Sequence, residues 1–158
     1  MKKILSLALV AIALVASLGF APAVLADDVG ADVKVRGVGE LTAHGDGIAL
    51  LGGRGKVELS GNGTLWIKDV AGDARIEVSG YGRKKVFADG WVQYAGLHGT
   101  ADIKGSNIRV VVAGVNIDLY AKGRGGAILW GHGTYQINGR PGEWSTVFPK
   151  PVLITPAE

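Results

Sequence analysis

Glycine recurs in pairs one residue apart, and the pairs recur every eight residues: Gly37/Gly39, Gly45/Gly47, Gly53/Gly55 and Gly61/Gly63, then Gly123/Gly125 and Gly131/Gly133. Small or apolar residues follow at alternate positions: Leu41/Ala43, Ala49/Leu51, Val57/Leu59, Leu65/Ile67, Ala127/Leu129 and Tyr135/Ile137. Successive side chains of an extended chain alternate between two sides, so an even period keeps all of these on one side. Each glycine inside a strand costs about 0.5–1 kcal/mol relative to alanine. Twelve of them therefore cost about 6–12 kcal/mol, comparable to a whole-domain stability of about 5–15 kcal/mol. These glycines are needed for geometry.

Turn chemistry gives the chain a second layer of organisation. Asp46-Gly47 and Asn62-Gly63 are two-residue hairpin signals, because a type I′ turn needs positive φ at both central residues. Residues 104–107 and 122–125 have a similar composition. Between these turns lie extended segments at 33–44, 48–60, 64–79, 91–104, 108–121 and 127–138, each broken near its middle by glycine. A straight strand of fourteen residues would run about 46 Å, whereas typical strands have about 5–6 residues. Central glycines such as Gly72 and Gly114 fit bends or bulges.

The expected fold is therefore all-β, a glycine-kinked antiparallel meander curled into a small barrel or sandwich. Its parts are a first meander at 33–79, a link at 80–90, a second meander at 91–139 and a proline-rich tail at 140–158. A β-solenoid of stacked parallel coils is the alternative. Both parities are apolar in 108–115 (Ile108, Val110, Val112 and Val111, Ala113, Val115), as expected of a strand covered on both faces. Apolar parity slips across 70–73, which marks an irregularity there. In the tail, 144–148 is a candidate edge strand.

Residues 1–26 read as a secretory signal helix: basic Lys2 and Lys3, an apolar run from Ile4 to Ala16, then small residues up to Ala26. Cleavage after Ala26 is expected, with Ala23 as a second position and an uncleaved membrane anchor as the alternative. Removing Lys2 and Lys3 lowers the 17 cations to 15 against 14 acids, leaving 132 residues with a net charge of +1. That balance gives no support to a nucleic-acid partner. There is no cysteine, so stability rests on packing and sheet hydrogen bonds rather than disulfides.

The Gly-x-Gly rhythm over 37–67 and 123–137 resembles the β repeats of autotransporter-adhesin head domains. That resemblance implies a β-helical fold and an adhesive role, although the Gly-Ser-Gly-Asp typical of those repeats is missing. The chain also resembles exported Gly-rich all-β bacterial proteins, a likeness that implies no activity.

Candidate chemistry is sparse. His44, His98 and His132 each precede a glycine and point away from the apolar set. They could form a surface metal site with Asp46 or Asp102, but without any recognised ligand spacing they read as solvated residues beside bends. Gly52-Gly53-Arg54-Gly55 begins a calcium β-roll motif, yet Val57 occupies the aspartate position, and the hard oxygen ligand is lost. Ser60, Ser79, Ser106 and Ser145 lie in no nucleophile elbow. Asp69, Asp73 and Glu77 could supply paired carboxylates for glycoside hydrolysis, although scattered acids on a solvated face account for them as well. No dinucleotide or P-loop motif follows the signal. Arg83-Lys84-Lys85 is a basic cluster suited to acidic glycans or phosphate, or simply to solvent.

The aromatic residues are the best ligand-binding candidates. Trp66, Trp130 and Tyr120 lie opposite in parity to the apolar set. They are either a stacking platform for sugar rings or a second layer of core. The expectation is an exported, non-catalytic structural or binding module located in the periplasm, on the cell surface or outside the cell. Its partner would be a cell-surface polymer or glycan, with no cofactor, metal, nucleotide or nucleic acid. Alternatives are a carbohydrate-binding module using Trp66, Trp130 and Tyr120 and, more distantly, a small outer-membrane barrel or a secreted hydrolase.

Overall fold

The computed structural model describes residues 38–148 and 150–156. The signal segment, and the start of the strand expected over 33–44, lie outside those residues. The described chain is all-β: β1 (Gly39–Asp69), β2 (Arg75–Val78), β3 (Arg83–Val86), β4 (Trp91–Ile137), β5 (Arg140–Glu143) and β6 (Pro151–Ile154). Every strand pairing is antiparallel, and a single bridge between Trp130 and Ser145 is parallel. Stacked parallel coils are therefore not formed, and the sheet does not close into a barrel.

The meander pairing is replaced by something longer in range. β1 has 31 residues and β4 has 47, and β4 flanks β1 on both edges. Ile48 lies between Ala113 and Trp130, Val57 between Ile103 and Ala121, and Leu65 between Tyr94 and Val112. Laid straight, β1 would reach about 100 Å at ~3.3 Å per residue. Instead the β1–β4 ribbon is coiled, and successive passes of it hydrogen-bond side by side.

Two arrays of short segments result. The first runs in the order β6, 125–131, 47–53, 108–114, 63–69, 91–97, β3. The second runs β5, 133–137, 39–45, 117–123, 55–61, 99–105, β2. The chain crosses between arrays at five glycine pairs, from Gly45/Gly47 to Gly131/Gly133, and beside the single glycines Gly99, Gly105 and Gly114. There, neighbouring backbones approach so closely that a Cβ on Gly47 would stand 2.2 Å from the Trp130 carbonyl oxygen and 2.9 Å from Cα of Gly131. Gly131 meets Gly47 reciprocally, at 2.1 Å from the Asp46 oxygen and 2.9 Å from Cα.

The hairpins expected at Asp46-Gly47 and Asn62-Gly63 are absent because only the glycine of each pair has positive φ. Gly47 sits at 142°, a conformation that favours glycine but lies far from the left-handed turn geometry, and the strand continues through it; Asp46 stays in the ordinary region. A type I′ turn requires both residues to be left-handed. That requirement is met at Asn138 (50°) and Gly139 (79°), which join β4 to β5 through the pair Ile137–Arg140. The link at 80–90 contains β3 as an edge strand, and the tail contributes β5 and β6 rather than a strand at 144–148. The irregularity at 70–73 is a loop, closed by the Asp69 carboxylate accepting from the N–H groups of Gly72 (2.8 Å) and Ala74 (2.9 Å).

The even-period apolar residues of β1, with Ala127 and Leu129, lie in the core, Tyr135 and Ile137 pack against it partly buried, and further β4 residues of both parities complete it. Leu41, Ala49, Leu65, Ile103, Val110, Val112 and Ile117 are fully buried, and both arrays contribute to one cluster. The expectation of a strand covered on both faces over 108–115 holds at 110–112, where Val111 is also buried, and fails at Val115, which is exposed. Val111 belongs with Ile48, Leu50, Trp66, Trp91 and Ile128, six buried residues outside that cluster. The register and parity place them on the other side of the first array.

Crease geometry makes a direct prediction. A Cβ at Gly114 would lie 2.0 Å from the Asn62 carbonyl oxygen, whereas one at Gly52 would meet nothing within 4 Å. Gly114→Val should destabilise the fold by ~3 kcal/mol or more, a severe overpacking. Gly52→Ala should be neutral or stabilising by up to about 1 kcal/mol, and exposed Arg83→Ala should stay within about 0.5 kcal/mol. Urea denaturation of the three variants checks this. Equal midpoints for Gly114→Val and Gly52→Ala would contradict the crease.

Candidate functional site

The outer side of the second array is uniformly polar. Alternation turns Ala43, Leu59, Ala101 and Leu119 inward, so their neighbours face out, and the register aligns those neighbours in rows across the strands. One row reads Ser79, Thr100, Ser60, Asp118, His44, Thr134. The next reads Glu77, Asp102, Glu58, Tyr120, Thr42, Gln136. A third is mostly basic: Arg75, Lys104, Lys56, Lys122, then Glu40.

Hydrogen bonds tie these rows into a fixed surface. Ser79 and Thr100 share a hydroxyl–hydroxyl bond of 3.0 Å. His44 Nδ1 lies 2.7 Å from Asp118 Oδ1. Lys56 pairs with Glu58 and, at 3.1 Å, with Asp102. The Tyr120 hydroxyl donates to Glu40 Oε1 at 3.3 Å, and Lys122 pairs with the same carboxylate.

Contacts within these rows shift the titration of Glu40, Lys122 and Lys56. The hydrogen bond from Lys122, then its charge, holds the Glu40 carboxyl below its ordinary range, and the Lys122 ammonium is raised in return. Glu58, then Asp102, raises Lys56 through hydrogen bonds. Three carboxylates stand side by side in the second row, Glu77, Asp102 and Glu58. Like charges directly opposite repel, and Arg75 and Lys56 offset this from the adjoining row. Beside these residues lies a wide-open depression of about 550 Å³, lined by polar side chains such as Ser60, Thr100, Asp102 and Tyr120 and also by Leu59, Val78, Ala101 and Leu119.

The three aromatic candidates do not share a surface. Tyr120 is half-buried on the second array, beside the depression. Trp66 and Trp130 lie on the first array, and Trp66 is only 6% exposed, packed between Gln93 and Val111 in register. Trp130 is half-buried opposite Ile48. A platform of Trp66, Trp130 and Tyr120 together is therefore not formed. The sequence reading also missed Trp144, which is buried in the core with its indole N–H donating to the Thr134 carbonyl at 3.1 Å.

The remaining candidates are mostly engaged locally. His98 pairs with Asn62. Asp46 accepts from the Asn116 N–H at 2.7 Å, where Asn116 adopts φ 51° at a register shift. Among the described residues, no three metal-ligating side chains gather. Ser60 stands beside Asp118, with the aspartate between it and His44, so the hydroxyl is not placed against the imidazole as a nucleophile requires. Of the three carboxylates considered for hydrolysis, Asp69 closes its loop, Asp73 accepts from the Ser106 N–H at 3.0 Å, and Glu77 pairs with Arg75.

No protein-family model matches this chain, and no curated protein or solved structure matches it significantly.

The backbone N–H of Ser106 holds the Asp73 carboxyl below its ordinary range. A depressed folded-state pKa gives stability that is present above the unfolded value and lost as pH falls through the folded one. The wild-type melting temperature should thus fall as pH drops below about 4. Asp73→Asn should melt lower at neutral pH, with the gap closing as the pH falls through the lowered carboxyl value. A gap that stays constant across this range would show that the carboxylate charge contributes nothing.

Proposed function

We propose that this chain is an exported, non-catalytic binding module that holds a polyhydroxylated ligand, a glycan of the cell envelope or its surroundings, on the polar face of the second array. The basic, apolar and small-residue order of residues 1–26 supports export. The sandwich-like folding of the two arrays is part of the same reading, since it provides a stiff platform.

The observation that carries the proposal is the depression of about 550 Å³ beside Tyr120. Its polar lining combines carboxylates that accept hydrogen bonds with the hydroxyls of Ser60, Ser79 and Thr100, which both donate and accept. Sugar hydroxyls need that mixture, and a tyrosine ring offers an apolar surface to the C–H side of a sugar. All of these side chains except Ser79, which directly follows β2, project from paired strands, so little ordering cost is added on binding. The reading is non-catalytic because Ser60 and His44 are separated by Asp118, and because backbone N–H groups engage Asp69 and Asp73.

Affinity electrophoresis through gels containing a panel of polysaccharides tests the idea. At least one should retard the protein, and Tyr120→Ala should weaken the retardation about tenfold, the loss of ~1.4 kcal/mol. Tryptophan emission should not change, because Trp66, Trp91 and Trp130 belong to the other array and Trp144 to the core. The proposal fails if no polysaccharide retards the protein. Binding lost in Trp130→Ala but kept in Tyr120→Ala would move the site to the first array.

A further inference from the structure

We infer that the open edge of β3 is a docking strand for an acidic, extended peptide segment of a partner protein. Among the described residues β3 pairs with β4 alone, in an unshifted register from Arg83↔Ala95 to Val86↔Val92. The Phe87 N–H donates to the Trp91 carbonyl at 2.8 Å, which fixes the phase of the ladder. Backbone groups of an antiparallel strand alternate in direction, so Lys85, two residues from Phe87, bonds inward to β4. The N–H and C=O of Lys84 and Val86 face the open side.

Charge selects the occupant. Arg83, Lys84 and Lys85 are consecutive and exposed, and none joins a carboxylate in the ion pairs among the described residues. Aromatic rings position two of them: Lys84 Nζ lies 5.4 Å from the Tyr94 ring centre and Lys85 Nζ 4.6 Å from that of Phe87. Tyr81 braces Tyr94 edge-on at 4.9 Å. Val86, 66% exposed, offers an apolar contact beside the cations.

The other edge strands are guarded differently. β5 contains Pro141 and β6 begins at Pro151, each lacking an N–H. On β2, Arg75 is neutralised by Glu77. β3 has no proline and carries one sign of charge, which repels a second β3 edge and attracts an acidic strand. Strand addition of this kind takes its affinity from main-chain hydrogen bonds and its choice of partner from the side chains.

The test uses the full chain and a fluorescent hexapeptide of alternating glutamate and valine, followed by anisotropy at low salt. Binding should weaken at least about tenfold when alternate peptide amides are N-methylated or glutamate is replaced by lysine. The variant Arg83→Glu/Lys85→Glu, checked for an unchanged melting temperature, should prefer the lysine peptide. Amide exchange at Lys84 and Val86 should slow on binding, while that at Lys85, already bonded to β4, should not change. The inference is overturned if the N-methylated peptide binds as tightly as its parent, which would mean charge attraction alone. It is equally overturned if charge reversal leaves the preference intact, or if exchange at Lys84 and Val86 does not respond.

Discussion

Backbone meets backbone where the two arrays join, and the rest of the architecture depends on that contact. At Gly47 and Gly131 each Cα occupies space beside the other, and a carbonyl oxygen stands where a methyl group would be. The same reciprocal approach occurs at Gly45/Gly133, Gly53/Gly125, Gly55/Gly123 and Gly63/Gly114. In β1 the creases recur at an even spacing that keeps one parity facing inward, whereas in β4 the inward parity switches from Ile103 to Ile108 and again from Val112 to Ile117. Strands of 31 and 47 residues can then enclose a single core without breaking their hydrogen-bond ladder. The conformational cost of each glycine is set against burial of that core, whose apolar area supplies the main driving force.

Parity was legible in the sequence because it is a local property. Leu41, Ala43, Ala49, Leu51, Val57, Leu59, Leu65 and Ile67 are all buried in the core, as the period of eight requires. Pairing was not legible in the same way. Asp-Gly and Asn-Gly permit a type I′ turn, but they also permit a glycine that continues the strand after an ordinary Asp or Asn, and nothing local separates the two. What decides at Gly47 is the strand 125–131 arriving from far along the chain to press against it. At Asn138-Gly139 no such neighbour crowds the glycine, which has nothing within 4 Å of a Cβ position, and the turn forms.

The separation of Tyr120 from Trp66 follows from a period of sixteen rather than eight. Outward positions in alternate octads belong to different arrays. Glu40, Thr42 and His44 face out from the second, Ile48 and Leu50 from the first, Lys56 and Glu58 from the second again, and Trp66 from the first. Read at sixteen, the outward residues sort into an apolar set and a polar set, and the two sides of the molecule could have been told apart without coordinates. Read at eight, they merge into one face, and aromatic residues from opposite sides look like a single platform.

An antiparallel ribbon that coils without closing must leave edges, and their chemistry shows how this chain manages them. The first array ends at β6 and β3, the second at β5 and β2. Proline removes donors on two of these strands, and an Arg–Glu pair makes a third electrically neutral. Charge of one sign on β3 protects against self-pairing as well as proline would, yet it leaves the backbone donors and acceptors intact. Proline blocks every strand, whereas like charge blocks only a like strand, and that difference separates an edge that is merely closed from one that can discriminate among partners.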